Sequence, residues 1–144
     1  MKHFYTVIAA ALLAFSAQAA ERNYKINDGN KIFYSAFNSS FILPEIAAAN
    51  DIVRSKNRGL VNIAVVPVDK ASGGIQALVK GTVSNLLQQS QKLEFFEVRE
   101  GDVVYYLASF KFDNKDALTF KIDVTANPNK PSYRVQFQQT FYQD

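Results

Sequence analysis

Apolar and polar residues alternate along most of the chain after residue 20, in runs bounded by Gly, Asn, Asp and Pro. This period of two is typical of β-strands that bury one face. The pattern predicts eight strands, near residues 22–27, 31–41, 59–67, 75–87, 92–99, 103–112, 117–126 and 132–142. It favours an all-β fold, an antiparallel two-sheet sandwich that is immunoglobulin-like in general shape. A small closed β-barrel is the alternative that the same pattern allows.

The clearest turns lie in the carboxyl-terminal half. Glu100-Gly101-Asp102 separates two apolar-rich runs, and a glycine in so short a connection can adopt a positive φ at little cost. Further turns are predicted at residues 113–116 and 127–131. We therefore expect a meander of three or four strands from residue 92 to residue 142.

One segment predicts a helix. Residues 44–50 begin with a proline, which the first turn of a helix accepts, and continue through three alanines to Asn50. Proline at the start and alanine in the interior are typical of a short helix. We expect one short helix after the second strand.

Residues 75–87 are ambiguous between strand and helix. Several of their apolar side chains would share one face of a helix: Ile75, Leu78, Val79, Leu86 and Leu87. Gly81 in mid-segment, followed by the β-branched Thr82 and Val83, favours a strand with a bulge.

The first 19 residues have the three-part layout of a cleavable signal peptide. Lys2 lies in a short polar stretch, residues 7–15 form an unbroken apolar run, and Ala17 and Ala19 suit the small-residue positions before a cleavage site. The apolar run is far shorter than the roughly 20 residues that span a bilayer as a helix. We therefore expect export to the periplasm, a single domain over residues 20–144 and no transmembrane anchor after cleavage.

Composition narrows the possible chemistry. Cleavage would remove the only histidine, His3, and the only methionine, Met1, and the chain has no cysteine. Residues 20–144 then lack the ligands of the usual zinc, copper, haem and iron–sulfur sites. They also lack the Ser-His and Cys-His pairs of most hydrolases. We expect no cofactor and no metal.

Carboxylates are the remaining acid–base groups. Glu94, Glu97 and Glu100 lie along one predicted strand and its turn, and Asp113 and Asp116 share one short turn. Glycoside hydrolysis, for comparison, needs two carboxyl groups that face each other across a cleft. Neither set is so placed, and we expect the protein not to be an enzyme.

Arg54, Lys56 and Arg58 alternate with Ser55 and Asn57. If the segment is extended, the three cations project from one face about 6.6 Å apart, twice the strand rise. Such a row could bind carboxylates, lipid phosphates or an acidic partner strand. Alternatively, the cations only protect a solvated edge from unwanted pairing. The net charge of +3, or +2 without Lys2, is too small to indicate nucleic acid as a partner.

Phenylalanine and tyrosine recur at strand spacing, as in Phe33, Phe37 and Phe41. A sheet core explains them better than a ligand pocket, because aromatic residues favour half-buried pleats. Tyr105 and Tyr106 point to opposite faces of one predicted strand, so we expect one ring to be buried and the other exposed. The exposed ring is either an interface anchor or a lone surface residue.

The chain resembles a family of small exported bacterial proteins, domain of unknown function 4426. The matching runs are residues 37–41 (Phe-Asn-Ser-Ser-Phe), 44–47 (Pro-Glu-Ile-Ala), 54–59 (Arg-Ser-Lys-Asn-Arg-Gly), 61–63 (Val-Asn-Ile), 85–87 (Asn-Leu-Leu) and 97–106 (Glu-Val-Arg-Glu-Gly-Asp-Val-Val-Tyr-Tyr). The resemblance implies a periplasmic, largely β protein and a strand at residues 75–87. It implies no activity.

These observations favour a non-catalytic binding or assembly module of the bacterial envelope. Its partner would be an envelope protein or an anionic envelope component, bound through an exposed edge and residues 54–58. The alternative is a carrier or sensor of a small apolar ligand held between the sheets. The sequence does not predict the identity of the partner or the oligomeric state.

Overall fold

The structure is a computed structural model that describes residues 23–70 and 73–143. The predicted signal peptide, residues 1–19, lies outside the described residues. The strands are β1 (Tyr24–Asn27), β2 (Asn30–Asn38), β3 (Arg58–Pro67), β4 (Leu78–Ser84), β5 (Ser90–Leu93), β6 (Phe96–Glu100), β7 (Val103–Lys111), β8 (Asp116–Thr125) and β9 (Tyr133–Phe141). A 3₁₀ turn (Ser39–Phe41) and the predicted helix α1 (Pro44–Ala49) lie between β2 and β3. None of the helices in this part of the chain is long and apolar enough to cross a bilayer.

The strands form two antiparallel sheets. One has five strands in the order β1-β2-β3-β7-β6, and the other has four in the order β5-β4-β8-β9. The predicted all-β sandwich is confirmed. The closed-barrel alternative is wrong, because each sheet ends in two edge strands instead of joining the other.

Aromatic side chains fill the space between the sheets. Phe110, Phe120 and Phe141 are almost completely buried. The ring of Phe120 stacks on Phe137 with centroids 4.7 Å apart and meets Phe110 edge-on at 5.2 Å. Offset and edge-on ring pairs of this kind contribute about 0.5–1.5 kcal/mol each beyond the burial of their area. These rings form the main core, as the alternating pattern predicted.

The outer face of the five-stranded sheet is also covered. The connection between β2 and β3 packs Ile42, Ile46 and Ala47 against Phe37 and Leu60. Because this connection covers one face and the second sheet covers the other, β3 is buried at its eight interior positions. Phe33 and Phe37 therefore face this outer cluster, whereas Phe41 is 58% exposed.

The predicted single strand at residues 92–99 is two strands that belong to different sheets. The chain leaves the four-stranded sheet after Leu93 and enters the five-stranded sheet at Phe96. Phe95 packs on the core between the sheets, and Phe96 packs on the outer cluster. The predicted meander from residue 92 to residue 142 is therefore wrong, because β6 and β7 pair in one sheet and β8 and β9 in the other.

The ambiguous segment at residues 75–87 contains a strand, β4, as the glycine and β-branched residues indicated. The predicted bulge is absent between β4 and β8. The two strands keep one continuous antiparallel register, from the pair Leu78 and Thr125 to the pair Ser84 and Thr119. Gly81 instead permits close approach: a Cβ atom there would clash with the backbone of Lys121 and Ile122. The predicted strand at 31–41 likewise ends earlier, at Asn38, where the 3₁₀ turn begins.

Candidate functional site

The basic segment, residues 54–58, is a loop that leads into β3. Residues 56 and 57 form a turn, and only Arg58 belongs to a strand. The row of three cations that a fully extended segment would give is therefore not formed. The loop is held in place by Ser39, whose Oγ donates to the Ser55 carbonyl at 3.1 Å and accepts from the Ser55 amide at 3.0 Å.

The cations of the basic segment have no acidic partner in the part of the chain that the structure describes. Arg54 and Lys56 are exposed, and Arg58 is half-buried opposite Lys111 of β7. Across the described residues, none of the three forms an ion pair with an acidic side chain. Other cations do, as in the pairs Arg99–Glu97, Lys130–Asp28 and Arg134–Asp123.

Exposed apolar side chains flank these cations. Arg54 Nη2 donates to the carbonyl of Ser40 at 3.1 Å, which holds the guanidinium beside the 3₁₀ turn that ends at Phe41. Phe41 is 58% exposed and Val53, next to Arg54, is 57% exposed. We call Phe41, Val53, Arg54 and Lys56 the basic–apolar surface.

Tyr105 and Tyr106 are both buried, at 4% and 7% exposure. The expectation that one ring would be exposed is wrong, because the β2–β3 connection covers the outer face on which Tyr105 lies. Tyr106 faces the space between the sheets, where its hydroxyl accepts from the Ala77 amide at 2.9 Å and donates to Glu97 Oε1 at 3.1 Å. The Tyr105 hydroxyl has no hydrogen-bond partner among the described residues.

The carboxylates near these tyrosines differ in environment. Glu97 accepts from Arg99 Nε at 2.8 Å, and this hydrogen bond lowers the pKa of Glu97. Burial raises the pKa of Glu100. The pKa of Tyr105 rises to about 12, mainly through burial and secondly through the charge of Glu100.

A small cavity lies behind Tyr105, under the β2–β3 connection. It is lined mostly by apolar side chains, together with Asn50 and Asn62. Its volume is about 10 Å³, which is room for about one water molecule. Ligand pockets are typically about 300–1,000 Å³, so the cavity does not accommodate a ligand in this conformation.

The hairpin turn between β4 and β5 was missed by the sequence reasoning, which placed its leucines in a strand. Leu86 and Leu87 are 73% and 79% exposed, more than any other large apolar side chain in the described residues. Asn85 builds this turn: its Oδ1 accepts from the amides of Leu87 at 3.0 Å and Gln89 at 2.9 Å. Asn85 is itself a turn signal that could have identified it, because an asparagine side chain readily bonds the backbone two residues further on.

We call residues 85–89 the leucine turn. It lies at the same end of the sandwich as the basic segment. Arg58 is opposite Lys111 in the β3–β7 register. The Lys111 amide donates to Gln91 Oε1 at 2.9 Å, and Gln91 Nε2 donates to the Lys111 carbonyl at 2.8 Å. Gln91 pairs with Val83, two residues before the turn begins at Asn85. These contacts connect the basic segment to the base of the hairpin.

Solved structures with a similar fold include a DUF4426 family protein from Pseudomonas aeruginosa PAO1. It is 30% identical, with a TM-score of 0.74 over 85% of this chain and 95% of that one. FetP from uropathogenic Escherichia coli strain F11, expressed in the periplasm of E. coli, is 10% identical, with a TM-score of 0.59 over 84% and 93%. A copper-bound variant of FetP is also 10% identical, with a TM-score of 0.62 over 84% and 95%. At 10% identity these two show a likeness of fold alone.

Among curated proteins, no significant match to the chain is found. The family model described as Domain of unknown function (DUF4426) matches residues 25–144. This match spans all nine strands, and it agrees with the resemblance drawn from the sequence runs. The chain therefore belongs to the DUF4426 family.

Proposed function

We propose that this protein is a non-catalytic binding module of the bacterial envelope, and that the basic–apolar surface binds its partner. The observation that carries the proposal is that Arg54 and Lys56 are exposed cations without an acidic partner in the described residues. Ser55 between them is fixed by two hydrogen bonds with the Ser39 hydroxyl.

Such a surface suits a partner that carries carboxylates or phosphates. A guanidinium binds either group through two parallel hydrogen bonds, and a lysine adds a compact charge. Phe41 and Val53 supply apolar area next to those charges. Because the loop is already ordered, little conformational freedom is lost on binding.

A periplasmic location is part of the proposal. Residues 1–19 have the layout of a signal peptide, and the related fold of FetP was obtained from the periplasm of E. coli. A copper role does not follow from that likeness. Residues 20–144 contain no histidine, cysteine or methionine. These are the side chains whose imidazole, thiolate and thioether groups bind copper in proteins.

A ligand held between the sheets is not favoured. The rings of Phe110, Phe120 and Phe141 contact one another at centroid distances of 5.1–6.1 Å. An apolar ligand in that space would have to displace core side chains, and disturbing a packed core costs about 1–3 kcal/mol.

The test is capture from bacterial envelope extract. The full chain is expressed in bacteria, and the exported protein is purified, immobilised and incubated with the extract. The variant is Arg54→Glu, Lys56→Glu, Arg58→Glu. The control is Lys25→Glu, Lys80→Glu, Lys121→Glu, which changes the net charge equally at exposed positions away from the basic segment. Circular dichroism checks that all three proteins are folded, and mass spectrometry identifies the bound proteins and lipids.

We expect the wild type and the control to capture the same partner and the basic-segment variant to lose it. Equal capture by all three folded proteins would reject the basic–apolar surface as the binding site. Capture of nothing by the wild type would reject the proposed function.

A further inference from the structure

The leucine turn presents two adjacent apolar side chains to solvent. Leu86 and Leu87 are 73% and 79% exposed, and residues 81–91 contain no charged residue. Scattered surface leucines need no explanation. Two neighbouring leucines at the tip of an uncharged hairpin are different, because the fold exposes them together and at its extremity.

The turn pairs several of its own backbone amides. The Leu87 and Gln89 amides donate to Asn85 Oδ1, and the Gln88 amide donates to the Asn85 carbonyl at 3.0 Å. Asn85 Nδ2 also donates to Gln89 Oε1 at 2.7 Å. In lipid, each unsatisfied backbone group costs several kcal/mol. Because the Leu87, Gln88 and Gln89 amides are already paired, this turn can enter an apolar medium more easily than a loop without such pairs.

Cations lie near the base of the hairpin. Lys92 follows the turn on β5, and Gln91 bonds the backbone of Lys111, which is opposite Arg58 in the β3–β7 register. Acidic residues lie near this end too: Glu94 is 3.8 Å from Lys92, and Asp116 accepts from the Asp113 amide at 2.9 Å. Arg58 and Lys111 form no ion pair within the described residues.

We infer that the leucine turn is a membrane anchor that inserts into the surface of a bilayer containing anionic phospholipid, with the surrounding cations bound to lipid phosphates. Stable attachment to a bilayer needs two weak signals, and an apolar tip with a cationic base supplies both. Two leucines are too little area for a specific protein interface, which buries about 800 Å² on each partner. This inference rests on the proposed function and names anionic lipid as the partner class.

The experiment uses the exported protein and two kinds of vesicle, phosphatidylcholine alone and phosphatidylcholine mixed with phosphatidylglycerol. Binding is measured by co-sedimentation for the wild type, for Leu86→Ser with Leu87→Ser, and for the basic-segment and control variants above. All carry the same amino terminus, which mass spectrometry identifies. We expect the double serine variant to bind the mixed vesicles about a hundredfold more weakly, about tenfold for each leucine.

A second readout locates the contact. The chain has no tryptophan, so a Leu87→Trp variant carries a single reporter at the turn. Ile26→Trp is its matched control, because Ile26 is 59% exposed on β1 near the opposite end of the sandwich. We expect the emission of the Leu87→Trp variant to shift to shorter wavelength with mixed vesicles, and that of the Ile26→Trp variant to stay unchanged.

The two proposals can fail separately. If the wild type does not bind mixed vesicles, or if the double serine variant binds them equally, the membrane anchor is wrong. Cation-dependent capture of a protein without vesicle binding would overturn the anchor and leave the proposed function standing. Vesicle binding that needs the leucines but survives reversal of the basic segment would leave insertion of the turn standing and overturn the binding of these cations to lipid phosphates.

Discussion

Tyr105 and Tyr106 should respond in opposite directions to removal of the hydroxyl. The two rings are adjacent on β7 and almost equally buried. The Tyr106 hydroxyl has two hydrogen bonds, to Ala77 and Glu97, whereas the Tyr105 hydroxyl has no partner in the described residues. Tyr105→Phe therefore removes an unsatisfied buried group, and Tyr106→Phe removes a satisfied one.

The magnitudes follow from those contacts. A buried polar group without a partner costs about 1–3 kcal/mol, so Tyr105→Phe should raise the free energy of unfolding by about 1–2 kcal/mol. A hydrogen bond to a charged group contributes about 1.5–3 kcal/mol, and Glu97 is accessible enough to bind water instead. Tyr106→Phe should therefore lower the free energy of unfolding by about 1–2 kcal/mol.

The assay is urea unfolding at neutral pH, followed by far-ultraviolet circular dichroism, with wild type and both variants in parallel. Equal slopes against urea would show that a shift in midpoint is a change in stability. A Tyr105→Phe variant that is destabilised as much as Tyr106→Phe would refute the reasoning, because Tyr105 would then have a favourable polar contact.

Two further predictions concern Glu100 and Gly81. Burial raises the pKa of Glu100 above its ordinary 4.5, so the folded state is favoured by protonation and loses stability as pH rises through the folded pKa. Glu100→Gln should therefore stabilise the protein at neutral pH and have no effect well below pH 4.5. Thermal melts of the variant and the wild type across pH would measure this. A difference in melting temperature that stays constant with pH would contradict the reasoning. Gly81→Ala should lower the free energy of unfolding, measured in urea, by about 1–3 kcal/mol, because the new methyl group would clash with the β8 backbone. Unchanged stability would show that β4 and β8 can move apart at no cost.

The fold class could be predicted because the alternation reports which side of each strand is buried. The alternation is clearest at β8 and β9, whereas β3 is an apolar run buried on both faces, and the proline and alanines of α1 are a local helix signal. The exchange between sheets at Glu94 and Phe95 could not be predicted. Leu93 and Phe95 pack toward the same core, so the alternation continues while the hydrogen-bonding partner changes from β4 to β7.

The candidate site was predictable only in part. The sequence identified the cations at Arg54, Lys56 and Arg58, but the turn at residue 56 depends on Ser39, sixteen residues from Ser55. Burial of Tyr105 depends on the β2–β3 connection folding over the outer sheet face, which no local pattern indicates. The leucine turn was obscured because Leu86 and Leu87 extend the apolar pattern of β4 beyond the point where Asn85 ends it.

The exchange of the chain between sheets also affects how the protein folds. β1, β2 and β3 are consecutive, so their pairing closes shorter loops than the pairing of β3 with β7 does. The central strand β3 must then wait for β7, because Ile63 pairs with Tyr106 and everything between them must first be enclosed in a loop. Folds dominated by such long-range pairings reach the native state in roughly milliseconds to seconds, more slowly than helical domains. During that delay the apolar edge of β3 is open to other chains, so newly synthesised protein should be most prone to aggregation before β7 is in place.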